Sequence, residues 1–300
     1  MPLTSLALSN PQFRIFYSIY YHHFIRRAPY LGPPALFAPI INASHSPLLE
    51  MDIWGYHKNN STYFTDLDIS RSHLVSHVCR AGVAAAARNA RTHLITDPAT
   101  GKPLPGRLNI VLGAVHCSYH REITAYAGYE VWSRILSWDR KWLVMVSHFV
   151  PRGTAKPDVW LDPRFGKGYR TNGGKGPRKG WERMVHATAV SKYVFKLDRL
   201  TIHPAVILGE SRLLPERPGG WVLADVDAPV DGLPVANGAA TATANGTAVK
   251  DAGGEEWTWQ RVEMQRRKGM EYAGKFLALD ELKGSFEGGK GPAVGTFWPC

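Results

Sequence analysis

Cysteine is scarce in this chain: 300 residues contain only Cys79, Cys117 and Cys300, with no C-x-x-C pair. So few thiols cannot build a disulfide framework, and reduced, intracellular cysteines are expected. No run of about 20 apolar residues occurs, so no uninterrupted membrane-spanning helix is predicted. The start of the chain lacks the charged, apolar and small-residue regions of a secretory signal. Triplets such as Asn59-Asn60-Ser61 therefore carry little weight as glycan acceptors. There is no internal repeat and no dinucleotide-binding fingerprint. His73 and His77 stand four apart but without the Glu of an H-E-x-x-H motif, and they read as polar helix positions. His116 and His120 flank Cys117 with no fourth ligand in view, so no metal and no cofactor are expected. Gly209-Glu210-Ser211-Arg212-Leu213 lacks the second Gly of a nucleophile elbow, which argues against a serine hydrolase. Acidic residues are outnumbered, 25 against 36 basic, for a net charge of +11. That balance suits an anionic partner such as a phosphate, an acidic protein surface or a membrane. The basic residues are dispersed, and no block resembles a nucleic-acid-binding arm.

What is present is globular: 44% hydrophobic and 11% aromatic residues, enough for one domain or two. Residues 1–44 form an arm. Within it Phe13 to Arg27 is aromatic and ends in a basic pair, a composition that suits packing on the domain or contact with a membrane surface. Pro29, Pro33, Pro34 and Pro39 then punctuate an extended connection. Leu48 to Ile53 reads as a strand, followed by the strongest helix pattern, from about Ser61 to Arg88. Its apolar stripe is Tyr63, Leu67, Leu74, Val78 and Ala85, and Asn60 or Ser61 is expected to cap it. The small residues Ala84 to Ala87 let another element approach closely.

Strands dominate after the helix. Leu108 to Val115 is a continuous apolar run that predicts a strand buried on both faces. Tyr129 to Trp138 and Trp142 to Val150 flank the turn Asp139-Arg140-Lys141 as a hairpin. Tyr193 to Ile202 and Ala205 to Leu208 add a strand or two. One long helix followed by strands, without β-α alternation, predicts an α+β fold with an antiparallel sheet around the helix. The main domain spans residues 45–214 and holds a Gly/Lys-rich insertion, residues 152–190, expected to be a surface excursion. Residues 215–256 read as a low-complexity linker, and residues 257–300 as a C-terminal helical segment that docks through Trp257, Trp259, Val262, Met270, Phe276 and Leu279.

The segment with the most chemistry is Asp52-Ile53-Trp54-Gly55-Tyr56-His57-Lys58-Asn59-Asn60-Ser61-Thr62-Tyr63. It places a carboxylate, a Gly-containing turn, a His and an Asn pair directly before a helix start. Such a start offers unpaired backbone N–H groups and a partial positive charge. Local chemistry alone also admits a plain structural role: Asp52 ending a strand, Gly55 turning, Asn60 capping.

His57-x-Asn59-Asn60-x-x-Tyr63, preceded by an acid, resembles the hotdog-fold thioesterases of the 4-hydroxybenzoyl-CoA thioesterase type. It is most similar to the branch of thioesterase superfamily member 6 and fungal biosynthetic-cluster thioesterases. The likeness continues through Asp66-Leu67-Asp68-Ile69-Ser70-Arg71, Tyr129-Glu130-Val131 and Trp138-Asp139-Arg140-Lys141-Trp142, across residues 45–212. It implies a long central helix wrapped by a curved antiparallel sheet, and at least a homodimer. It implies hydrolysis of an acyl-CoA or carrier-bound acyl or polyketide thioester in fungal secondary metabolism. Asp52 then matches the catalytic carboxylate, and His57 and Asn60 would orient water or the carbonyl. Asn59, Ser61 and Tyr63 would line the substrate, with Asp66 as the reserve acid. Asp52 stands five residues before His57, one more than in several relatives, and Trp54 and Tyr56 replace smaller or polar residues. The alternative is a non-catalytic module that binds acyl chains or a membrane periphery. A cytoplasmic, partly membrane-associated location is expected.

Overall fold

The computed structural model describes residues 11–25, 29–52, 55–97, 99–154, 157, 160–166, 180–222 and 256–285. The core of the Gly/Lys-rich insertion and most of the low-complexity linker lie outside the described residues.

Helix α1 (Pro11–Tyr20) runs into a π turn at Tyr21–Ile25. Strand β1 (Ile40–His45) comes next. The stretch predicted as a strand from Leu48 is instead a single 3-10 turn, Leu48–Glu50. Met51 forms an isolated bridge with Lys58, and Ile53 is outside the described residues. Helix α2 (Asn60–Val78) follows, then α3 (Arg80–Ala87). The helix predicted as continuous to Arg88 breaks at Cys79, whose φ and ψ of −95° and 10° leave the helical region. Gly82, just beyond the break, explains the tight contact there. A Cβ on it would stand 2.0 Å from the carbonyl oxygen of Ile207, so only a residue without one allows that approach.

Strands β2 (Leu108–Tyr119), β3 (Gly128–Trp138), β4 (Leu143–Pro151), β5 (Ala187–Leu197) and β6 (Leu200–Ile202) complete an antiparallel sheet in the order β1-β3-β4-β5-β2, with β6 beside β5. The β3–β4 hairpin turns at Asp139, whose carboxylate accepts the N–H groups of Lys141 and Trp142. Strand β2 overturns the expectation of a strand buried on both faces. It is an edge strand, and Ile110, Val111 and Leu112 are exposed. Ala205 to Leu208, expected as a strand, belong to helix α4 (Pro204–Glu210). Pro204 at its first turn costs no hydrogen bond there, and the His203 side chain accepts the Ala205 N–H as a cap. Helix α5 (Trp259–Leu277), capped by Thr258, is the predicted C-terminal helix.

The architecture is α+β: an antiparallel sheet with helices on its faces. Tyr63 and Leu67 of α2 pack on Tyr129, Val131, Phe149, Ala187 and Ala189 of the sheet. Fully burying a side chain such as Leu67 contributes about 1.5–3 kcal/mol. From the other side of β4, Val144 and Val146 pack with Leu136 of β3 and Ala273 of α5. No helix among the described residues is long and apolar enough to cross a membrane.

Candidate active site

The Asp52–Tyr63 segment folds as a short closed hairpin that feeds into α2. Asp52 N–H donates to the His57 carbonyl at 2.8 Å, and Asn59 N–H donates to the Glu50 carbonyl at 2.8 Å. Tyr56 N–H returns to the Asp52 carbonyl at 3.1 Å, and Tyr56 adopts a left-handed φ of 50° at the exposed tip. His57 leans over Gly55, where a Cβ would meet its Nε2 at 2.4 Å, so Gly55 makes room for the ring. Backbone pairing thus sets Asp52 and His57 opposite each other, and both are half-buried.

The cap of α2 is Asn59 rather than Asn60 or Ser61. Its Oδ1 accepts the Ser61 N–H at 2.9 Å and the Ser61 hydroxyl at 2.7 Å. Thr62 N–H goes to the Asn59 carbonyl at 3.0 Å. Asn60 N–H has no acceptor among the described residues, so it is the donor that the helix start leaves open. Tyr119, at the end of β2, donates weakly to the Asn60 carbonyl at 3.4 Å. Tyr63 is buried, its ring 5.0 Å from Tyr119 and 4.9 Å from Phe149, and burial raises its phenol well above the ordinary range.

Beneath the hairpin lies a cluster built around Lys58, a residue to which the sequence patterns gave no role. The Lys58 side chain is wholly buried, with Nζ 2.5 Å from Glu50 and 3.0 Å from Asp66. The rings of Tyr63 and Tyr129 stand 5.6 and 5.4 Å from the same ammonium. Tyr129 donates its hydroxyl to Asp66 Oδ2 at 2.6 Å, and Arg14 of α1 approaches the other oxygen at 3.8 Å. Burial raises the Tyr129 phenol and the neighbouring Asp66 charge raises it further, so it remains a donor. Two carboxylates and two cations balance here, as buried charges must. Asp66, only 5% exposed, is committed to these partners. Lys58 pairs with Met51 across the hairpin and turns inward beside the half-buried His57, a placement that no pattern in the sequence gives.

His73 and His77 are not surface positions. On the same face of α2 as Asp66, they meet His22 of the arm, whose Nε2 lies 3.0 Å from His73 Nδ1. His77 Nε2 is 2.9 Å from Asp162, which Arg164 also grips. Burial is the first cause lowering all three rings: His22 to about 3, His73 and His77 to about 4. Mutual repulsion deepens this for His22 and His73, and Arg14 adds to it for His73. Asp162 opposes it for His77, while Arg164 and Arg80 reinforce it. Because the folded pKa values lie below 6.5, the unfolded chain binds more protons between about pH 6.5 and 4. Stability is therefore full above pH 6.5 and falls as pH drops through that window. Thermal melts from pH 8 to 4 should show this decline, and a His22→Phe/His73→Phe protein should show a shallower one. Among the described residues no group of three or more His, Cys, Asp or Glu is arranged to hold a metal ion.

No family profile matches the chain. Thioesterase poxG of Penicillium oxalicum is 34% identical over 280 residues, covering 91% of this chain and 80% of that protein. Thioesterase lcsJ of Purpureocillium lilacinum is 36% identical over 249 residues, covering 82% of this chain and 69% of that protein. Among solved structures, the dynemicin thioesterase overlays 58% of this chain and 94% of its own at 13% identity and a TM-score of 0.37, an overlap too loose to define a fold.

Proposed function

The chain belongs to the family of these fungal thioesterases, and we propose that it releases a free acid from an acyl thioester with Asp52 as the reacting carboxylate. The observation that carries the assignment is the hairpin pairing of Asp52 with His57 immediately before a helix start whose Asn60 N–H is open among the described residues. Asp52 takes a proton from water as the oxygen attacks the thioester carbonyl carbon. The developing oxyanion accepts from Asn60 N–H, assisted by the positive end of α2. The tetrahedral intermediate then expels the thiolate, which recovers the proton from Asp52 as a free thiol. His57 and Asn60 orient water and carbonyl, Asn59 and Ser61 shape the helix start, and Tyr63 backs the site. Asp66 holds Lys58 in place beneath the hairpin.

The thiol carrier is CoA or a pantetheine-bearing carrier protein, whose phosphates suit a surface of net charge +11. The acyl group is fatty or polyketide-like and the setting is fungal secondary metabolism, an assignment supported by the fungal relatives. Membership weighs against a non-catalytic acyl-binding module. Free-thiol release from acyl-CoA, acyl-pantetheine and acyl-carrier-protein thioesters tests the proposal. Release by the wild-type protein is expected; a folded protein that frees thiol from none of them would overturn it.

Supporting the hotdog arrangement is α2 laid across one face of the antiparallel sheet, and we further propose that two copies join through the β2 edge. That edge is 12 residues long, exposes Ile110, Val111 and Leu112, and has no strand partner on its outer side among the described residues. A Val111→Lys protein should then sediment as a monomer where the wild type sediments as a dimer. The outer face of α1 and of the π turn after it, exposing Phe13, Phe16, Tyr20 and Phe24, supports a cytoplasmic enzyme resting against a membrane surface. Co-sedimentation with anionic vesicles should weaken in a Phe16→Ser/Phe24→Ser protein.

A further inference from the structure

A cavity of about 330 Å³ lies under the end of the arm, between β1 and the C-terminal half of α2. Leu31, Ala35, Ile40, Val78, Trp160 and Leu161 give it apolar walls. Its polar side is made by His22, His73 and His77, with Asn42 and Asp162 at the margins. The three imidazoles stay uncharged at neutral pH, and the Asp162 charge is matched by Arg164. A neutral imidazole carries one N–H donor and one lone pair. That wall is therefore polar without net charge, with His22 Nε2 already paired to His73 Nδ1 and His77 Nε2 to Asp162. Nδ1 of His22 and Nδ1 of His77 have no hydrogen-bond partner among the described residues. Leaving such groups buried and unmatched is unfavourable, so a bound polar group has something to offset once the rings adjust.

The cavity is remote from the hairpin. His73 stands thirteen residues beyond Asn60 on α2, roughly 20 Å at 1.5 Å per residue. It is also at the small end of the range of about 300–1,000 Å³ for ligand pockets. One aromatic ring or a short chain fits, and a whole CoA thioester does not.

We propose that this cavity is a second small-molecule site, which takes an uncharged, mainly apolar compound bearing a hydroxyl or carbonyl group that the His22–His73–His77 wall recognises. The apolar body fills the space between the arm and α2, and the oxygen meets the imidazoles. Because His22 belongs to the arm and His73 and His77 to α2, a bound molecule ties the two together and stabilises the folded chain.

The test uses p-cresol and toluene, which share a ring and differ in the hydroxyl, titrated calorimetrically into the full-length protein. Wild type should bind p-cresol at least about fivefold more tightly than toluene and melt at a higher temperature in its presence. His22→Leu/His73→Leu keeps the volume closely and removes the polar pair, and should bring the two affinities together. Val78→Phe fills the cavity and should abolish binding of both; Ala38→Leu serves if that protein does not fold. Failure of wild type to bind either probe overturns the proposal, as does equal affinity for the two. Binding that survives in the filled variant overturns it as well. None of these outcomes depends on thioester hydrolysis.

Discussion

Asp52→Asn lowers thiol release by about 10²–10⁴-fold, the range lost when a positioned acid–base group is removed. The amide keeps the size of the carboxylate but cannot accept a proton from water. Structure should survive, because the exchange is isosteric and leaves the backbone N–H and carbonyl of Asp52 in place in the hairpin. The measurement is kcat/KM on a cleaved thioester beside a thermal melt. A folded Asp52→Asn protein with undiminished turnover removes Asp52 from the mechanism. Asp66→Asn is the informative companion. Asp66 is buried against Lys58 and Tyr129, so this change should lower stability first, with loss of activity following the loss of fold. If Asp66→Asn instead melts like wild type and is inactive, the reacting carboxylate is the one on the helix.

Lys58→Met is expected to be the most destabilising single change in the site, by about 3–5 kcal/mol. Its volume is close to that of Lys, so the cost does not come from a cavity. It comes from Asp66 and Glu50, which lose the ammonium 3.0 and 2.5 Å away, and Asp66 then stays buried without its nearest cation. Chemical denaturation of wild type, Lys58→Met, Asp66→Leu and the double variant forms a cycle that isolates the pair. The double variant should recover much of the loss, since a buried ion pair replaced by apolar side chains is often neutral or better. A Lys58→Met protein within about 1 kcal/mol of wild type would show that Lys58 does not neutralise Asp66 in the interior.

Much of the fold is legible in the residues because it is written in local terms. The β3–β4 hairpin follows from two aromatic and β-branched runs around Asp139, and its carboxylate closes the turn within three residues. Helix α5 follows from its periodicity and from Thr258 at its cap. The errors have one physical origin, which is that hydrophobicity reports a need for burial and not the means of meeting it. Leu108 to Leu112 are apolar enough for a central strand, yet they lie on an edge with their side chains partly exposed. Ala205 to Leu208 are too few to show a period, and Pro204 opens a helix there. The strand expected from Leu48 gave way to a 3-10 turn, because the hairpin beyond it takes over the backbone pairing.

The site divides in the same way. Sequence by itself determined that Asp52, His57 and the Asn pair stand before a helix start, since their spacing along the chain is the motif. It determined too that the chain is an α+β protein of the thioesterase kind. Only the tertiary structure decided that Lys58 is buried between two carboxylates, that Asp66 is bound to a tyrosine 63 residues away, and that His73 meets a histidine 51 residues before it. Short-range patterns follow from backbone geometry and periodicity, which any window of residues displays. The pairing of a buried charge depends on which distant surface the sheet brings against it, and that contact exists only once the chain has closed.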